Sequence, residues 1–565
     1  MRKDLTAEQH DYARFLPALS GFYATYVGKQ RYDEYVDKSR IPSNFANGVE
    51  SLNYLNSNEG AFTYKWTLYS AGHADLDTTK FVPKEDMVRN RDRDNTWVLG
   101  DSGGFQIGKG VWEGEWKDPT SQFVKDKMAD CVARGTEERT ITSTDKNGKE
   151  TTKTVTVDLV KEYQGRLDMA QKKRDAVLRW MDAYADYGMI LDIPAWVSRS
   201  PAGALATGIS EYADAAEATK YNNEYWMKHR TGACKFLNVL QGENHTDADD
   251  WYEQMKDYCD PVKYPNNHFN GWGMGGQNMC DVHLILKRLV TLHFDGLLQK
   301  GVHDVMHFLG TSKLEWATLL TDIQRAVRKN YNENFTATFD CASPFLATAN
   351  GQIYIQNETE DRSKWTYRMV PSVDDKKYAS DNRLFRDTVI SDGIFKNFEN
   401  SPLTEKLKVS DVCTYAPGDL NKIGKEGKTS WDSFSYAIQM GHNVWSHVNA
   451  VQEANRQYDA GIVPKMLVQE KFDRVFFRDV VNEIFAIDNK EDALAKIEEH
   501  SKFWMAIPGT RGAIGKKTVN ASTHFNALFD VEEPEEDELE DGVFSEEEEH
   551  NLEVLEDAQL YGETQ

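Results

Sequence analysis

The sequence is short of paired cysteines, of long apolar runs and of net basic charge, and each shortage excludes something. Its six cysteines (Cys131, Cys234, Cys259, Cys280, Cys341, Cys413) form no CxxC pair and show no regular spacing. A chain of 565 residues needs no disulfide framework to fold, so this usage fits a reducing compartment and offers no zinc-ligand set. No stretch approaches the roughly 18 uninterrupted apolar residues of a membrane helix. The opening MRKDLTAEQHDYARF carries charges but no apolar signal-peptide core. These absences lead us to expect a cytoplasmic protein with no membrane partner.

The net charge of −25 misleads as an average. Between Asp530 and Glu563 stand 17 acids and no Lys or Arg, and without that segment the body carries −8. Like charges at such density repel and leave little apolar surface to bury, so residues 530–565 read as a disordered, solvated acidic tail. The alternative is that the tail mimics nucleic acid and occupies a basic groove; solvation is the commoner role. The body is not basic either, so any nucleic acid must be held by a local patch.

What is present is core material and a recurring pattern. With 40% hydrophobic and 12% aromatic residues the chain can bury a large core, and one barrel with insertions would use most of its length. In WVLGDSGGFQIGKG, residues 97–110, an apolar run stops at Asp101 and is followed by Ser102, Gly103, Gly104, Phe105 and Gln106. The same event recurs: Met189–Leu191 before Asp192, Phe236–Leu240 before Gln241, GWGM before Gly275 and Gly276, Val305–Leu309 before Gly310, and Phe339 before Asp340. Helical periods lie between several of these runs, as in KKRDAVLRWMDAYADYG, ADDWYEQMKDYC and SKLEWATLLTDIQRAVRKNY. Short buried strands alternating with helices predict an α/β fold with a parallel sheet. Polar residues gathered at successive strand ends predict the active face of a (β/α)8 TIM barrel. One strand ending in an acid is unremarkable, since Asp often caps the next helix; three acids and a glutamine need a shared reason.

In order and rough separation, DSGGFQ, the Asp after MIL, LQG, GMGG, FLG and FDCASP followed by NGQ resemble the tRNA-guanine transglycosylases, over about residues 95–355. The resemblance implies a barrel enzyme, a pentosyltransferase, that swaps guanine for a 7-deazaguanine such as preQ0 without breaking the nucleic-acid backbone. It implies that Asp340 is the nucleophile attacking C1′ of the sugar, covalent catalysis through an oxocarbenium-like transition state. Asp101 is then the acid/base acting on the departing or incoming base. Asp192 is implied to bind the N1 and N2 edge of guanine, with Gln241 and the Gly275–Gly276 backbone at its carbonyl and Ser102 nearby. Phe105 and Leu309 occupy the positions that sandwich the flat base. No cofactor is implied.

Departures from the family matter equally. Its tRNA enzymes carry a zinc subdomain with three close cysteines and a histidine, whereas SDVCTYAPGD and GHNVW offer only Cys413 and His442 here. One thiol and one imidazole do not close a tetrahedral site, so no bound metal is expected. Loss of that tRNA-gripping region makes the sequence look more like the DNA-directed 7-deazaguanine transglycosylases of phages and bacterial genomic islands, which would place it in a host cytoplasm. DNA is therefore favoured over tRNA as the nucleic-acid partner. Relatives often dimerise, so the resemblance allows an oligomer. Alternatives are a tRNA-directed enzyme, a non-catalytic nucleic-acid-binding subunit, and a two-carboxylate glycoside hydrolase on the same barrel.

The expected organisation is a barrel over residues 1–360, a divergent C-terminal subdomain over 361–529, and the tail. An insertion near 131–160, with Thr and Val alternating around Asp-Lys-Asn-Gly, reads as a projecting hairpin. It carries five basic and five acidic residues and either braces nucleic acid or decorates the barrel. Gly424–Ser430, GKEGKTS, lacks the first glycine of a phosphate-binding loop and reads as a surface turn. Arg511–Asn520 is a short basic patch, and Lys172–Arg174 reads as the wet face of a helix. Trp196 and Trp272 stand beside Asp192 and Gly276 and serve either as stacking surfaces or, more commonly for Trp, as core.

Overall fold

Eight short strands run parallel in one sheet: β1 (Arg14–Pro17), β2 (Trp66–Ser70), β3 (Trp97–Asp101), β6 (Tyr187–Met189), β7 (Lys235–Leu240), β8 (Gly271–Met274), β9 (Val305–Phe308) and β10 (Thr336–Cys341). Along the sheet their order is β1-β10-β9-β8-β7-β6-β3-β2. The two ends meet at a parallel bridge from Ala18 to Leu68, where Leu19 N–H donates to the Leu68 carbonyl at 2.9 Å. The sheet thus curls into a nearly closed, TIM-barrel-like cylinder. The computed structural model describes residues 2–6, 10–32, 36, 38–144, 150–199, 201–387, 398–415, 430–470 and 474–510. The acidic tail, the basic patch 511–520 and residues 424–429 lie outside them.

The strands are buried nearly end to end, as parallel strands with helices outside must be. The sequence supplies six of them as apolar runs and the helices between them as capped amphipathic periods. Asp158 caps helix Leu159–Tyr184, Asn244 caps His245–Met255 and Asp281 caps Val282–Phe294, each accepting a hydrogen bond from the first turn. Gly100 lies against Trp180 and Met181 of helix Leu159–Tyr184 and against Ala185 just after it, at distances a side chain would crowd. β3 therefore sits tight against its helix layer.

Helix Ser433–Asp459 completes the outer ring. Its His447 ring stacks on Phe15 of β1, its Tyr458 hydroxyl donates to Asp322 of helix Leu314–Asn330, and its Gly441 lies against Tyr23 of helix Gly21–Gln30. It fills the place between β10 and β1 where the last barrel helix belongs. A boundary drawn at 360/361 runs through the antiparallel hairpin of β11 (Gln352–Glu358) and β12 (Thr366–Pro371) and leaves this closing helix on the far side. Farther on, helix Phe477–Phe485 packs on Leu314–Asn330, and helix Lys490–Glu499 packs on Val282–Phe294. One apolar core runs from Leu5 to Ile507.

The insertion is an antiparallel pair, β4 (Thr136–Thr144) and β5 (Glu150–Asp158), and residues 145–149 between them lie outside the described set. It springs from helices Gln122–Arg134 and Leu159–Tyr184, whose bases share a small separate apolar cluster of Val124, Cys131, Leu159 and Tyr163.

Candidate active site

All eight parallel strands point their C-terminal ends the same way, and at that end the polar residues converge. Ser70 and Asp101 are register partners at the ends of β2 and β3, and the Ser70 hydroxyl donates to Asp101 Oδ2 at 2.6 Å. Gly103 then turns the chain in the left-handed region at φ 82°, and helix Gly104–Gly108 starts. A Cβ on Gly104 would stand 2.9 Å from the Asp192 carbonyl oxygen, so the glycine lets the two loops touch.

Asp192 does not end a strand as expected. β6 stops at Met189, and the chain turns so that Asp192 N–H donates to the Ile190 carbonyl at 3.0 Å. Its Oδ2 accepts a hydrogen bond from Gln241 Nε2 at 2.7 Å. Gln241 is pressed in turn by two glycines: a Cβ on Gly275 would meet Gln241 Nε2 at 2.8 Å, and one on Gly276 would stand 3.1 Å from Gln241 Oε1 and 2.5 Å from the Gly242 carbonyl.

On the opposite side of the mouth Asp340 lies within β10, with 13% of its side chain exposed. Gly310 N–H donates to its Oδ1 at 2.9 Å, and His307 Nε2 stands 3.1 Å from the same oxygen. The other ring nitrogen of His307 is 2.9 Å from the Thr338 hydroxyl. His307 and Thr338 are register partners on β9 and β10, and Asp340 is two residues beyond Thr338, so all three share one face of the sheet.

The carboxyl groups feel one another. Burial raises the Asp101 pKa above the usual carboxylate value; the Ser70 hydroxyl opposes this, and the negative charge of Asp340 adds to it. Burial pushes Asp192 up to about 7 against the Gln241 amide, with a further push from Asp101. Three acids in one mouth with unlike environments can divide labour: one remains an anion while another holds a proton.

Of the other predicted residues, Ser102 is fully buried beneath the mouth. Phe105 is 44% exposed, its ring 6.1 Å from Trp196 and beneath Lys109. Leu309 is partly buried on the barrel core, and its N–H donates to the Met274 carbonyl. Trp272 is core: it is fully buried and its indole N–H donates to the Leu297 carbonyl. Trp196 covers Gly108 and lies partly open beside Phe105. The wet face expected at Lys172–Arg174 is corrected at Arg174, which is buried between Trp116 and Tyr221 and bonds Asn222, because the neighbouring helix covers that side.

Cys413 and His442 are held apart by different partners. The Cys413 thiol donates to the Asp375 carbonyl, whereas His442 bonds Ser401 and the Tyr354 carbonyl and is pushed down to about pKa 4 by burial. Among the described residues no three His, Cys, Asp or Glu side chains are grouped to hold a metal ion, and no helix is long and apolar enough to cross a membrane.

Sequence reasoning missed Ser70, His307 and Thr338. The signal for His307 and Thr338 was present: a polar residue inside an apolar strand needs a buried partner, and here the two are each other's. The chain matches no protein-family model, and no curated protein matches it significantly.

Proposed function

We propose that this protein is a guanine transglycosylase that exchanges guanine in nucleic acid, DNA in preference to tRNA, for a 7-deazaguanine. The observation that carries the reading is the meeting of Asp101, Asp192, Gln241 and Asp340 in one barrel mouth, with the resemblance of the motifs that bring them there. Asp340 is the nucleophile: its carboxylate bonds to C1′ as the C1′–N9 bond breaks, and the electron pair leaves with guanine, which takes a proton. The incoming base gives up its own N9 proton and displaces the carboxylate, so the enzyme ends as it began. Asp101, which burial disposes to hold a proton, supplies and recovers it. Asp192 and Gln241 offer an acceptor and an amide to the edge of the base, and Phe105 and Leu309 offer apolar faces.

The test is exchange of labelled guanine into duplex DNA, single-stranded DNA and tRNA. Incorporation into DNA that disappears in Asp340→Asn supports the reading. Undiminished incorporation in that variant refutes the nucleophile, and incorporation into tRNA alone reverses the substrate preference.

A further inference from the structure

We infer that His307 is a positioning residue for Asp340, with Thr338 fixing the tautomer that lets it act. The inference rests on Asp340 being the nucleophile. A carboxylate anion only accepts hydrogen bonds, so the proton on His307 belongs on Nε2, 3.1 Å from Asp340 Oδ1. In the Nε2–H tautomer the other ring nitrogen, Nδ1, is an acceptor, and the Thr338 hydroxyl stands 2.9 Å away to donate to it. His307 is fully buried and Thr338 likewise, so neither has water to fall back on.

The consequence is an asymmetric carboxylate. Gly310 N–H and His307 Nε2–H both serve Oδ1, whereas Oδ2 has no hydrogen-bond partner among the described residues. Oδ2 is therefore the oxygen that bonds to C1′. As that bond forms and C1′–N9 breaks, Oδ1 becomes the carbonyl oxygen of the ester. When the incoming base displaces the enzyme, negative charge returns to the carboxylate and the two N–H groups receive it. The same pair of donors holds the group rotationally, so that Oδ2 keeps facing the mouth. Stabilising charge that returns at the transition state affects turnover more than binding.

The experiment uses the full chain and four proteins: wild type, His307→Phe, His307→Gln and Thr338→Val. For each, kcat and KM are measured for exchange of labelled guanine into the oligonucleotide the wild type accepts, with the covalent adduct quantified on a denaturing gel. His307→Phe is expected to lower kcat about 100-fold with little change in KM. His307→Gln, whose amide places an N–H near the lost Nε2–H, is expected to recover at least a tenth of wild-type kcat. Thr338→Val, nearly isosteric, lowers kcat about five-fold, the weight of one neutral hydrogen bond, and keeps the test available where the Phe variant does not fold. Wild-type kcat in folded His307→Phe or in Thr338→Val overturns the inference alone. Failure of Gln to rescue, with KM rising in step, makes the role merely structural and overturns it too. A wild type that exchanges no base overturns the nucleophile reading and this inference with it.

Discussion

The Gln241 amide donates to Asp192 Oδ2 at 2.7 Å, a bond between residues that follow the adjacent strands β6 and β7. It opposes but does not cancel the burial that pushes Asp192 up to about 7. Guanine presents N1–H and N2–H donors, which call for the anion. Base affinity is therefore expected to rise about tenfold per pH unit up to about pH 7 and then level off, with one proton released per base bound below it. Calorimetry in buffers of different ionisation heat measures that proton. Asp192→Asn removes the pH dependence and weakens binding about 100-fold. The stability effect has the opposite sense. Between the ordinary carboxylate pKa of 3.8 and about 7, folded Asp192 keeps a proton that the unfolded chain has released. Stability is therefore lost as pH rises through that window, and the Asn variant loses less.

Gly276 sits at φ 54°, with space for a Cβ denied by the Gly242 carbonyl at 2.5 Å. Gly276→Ala is expected to destabilise the fold by about 1–3 kcal/mol and to displace Gln241. Thermal unfolding reads the first effect, and a KM for the free base raised at least about tenfold reads the second.

Much of this site was legible because its acids stop apolar runs. Asp101 and Asp340 announce themselves so, and the neighbouring glycines mark close backbone approach. β1 was not legible: Arg14–Pro17 is four residues with an arginine and a proline. β2 ends in Ser70, an ordinary turn residue, and so its bond to Asp101 left no trace in the pattern. His307, a lone imidazole in an apolar strand, signals that it has a buried partner, but which residues partner it is read only from the β9–β10 register. The closing helix Ser433–Asp459 follows β10 only after the β11–β12 hairpin and a long further segment. Nothing local in its sequence says which side of the cylinder it covers.

His447 lies between the rings of Phe15 and Tyr367, each 4.3 Å away centre to centre, and burial pushes its pKa down to about 3. Its folded pKa is below the unfolded value of 6.5, so the unfolded chain takes up a proton that the folded one refuses. Stability contributed at neutral pH is lost as pH falls from 6.5 toward 3, by about 1.4 kcal/mol per unit. His303 and His442 act in the same direction, and Asp192 and Asp322 in the opposite one. The difference between wild type and His447→Phe isolates the one group. Urea unfolding at pH 7, 6 and 5 is expected to show the variant losing less stability at each step.

Replacing residues 137–157 with a short Gly-Ser turn removes the hairpin but keeps the cluster of Val124, Cys131, Leu159 and Tyr163 at its base. The unfolding midpoint is expected to stay within about 2 °C, because the deleted strands bury little. With charges balanced in the insertion, the salt dependence of nucleic-acid affinity is expected to be unchanged. A shallower slope makes the hairpin a brace on the phosphate backbone.

The central claim is a covalent bond between residue 340 and a sugar. Wild-type protein incubated with a guanine-containing DNA oligonucleotide, denatured and digested, is expected to yield a peptide containing Asp340 heavier by the abasic oligonucleotide, and Asp340→Asn is expected to yield none. An adduct on any other residue, or exchange that proceeds with no adduct at all, contradicts it.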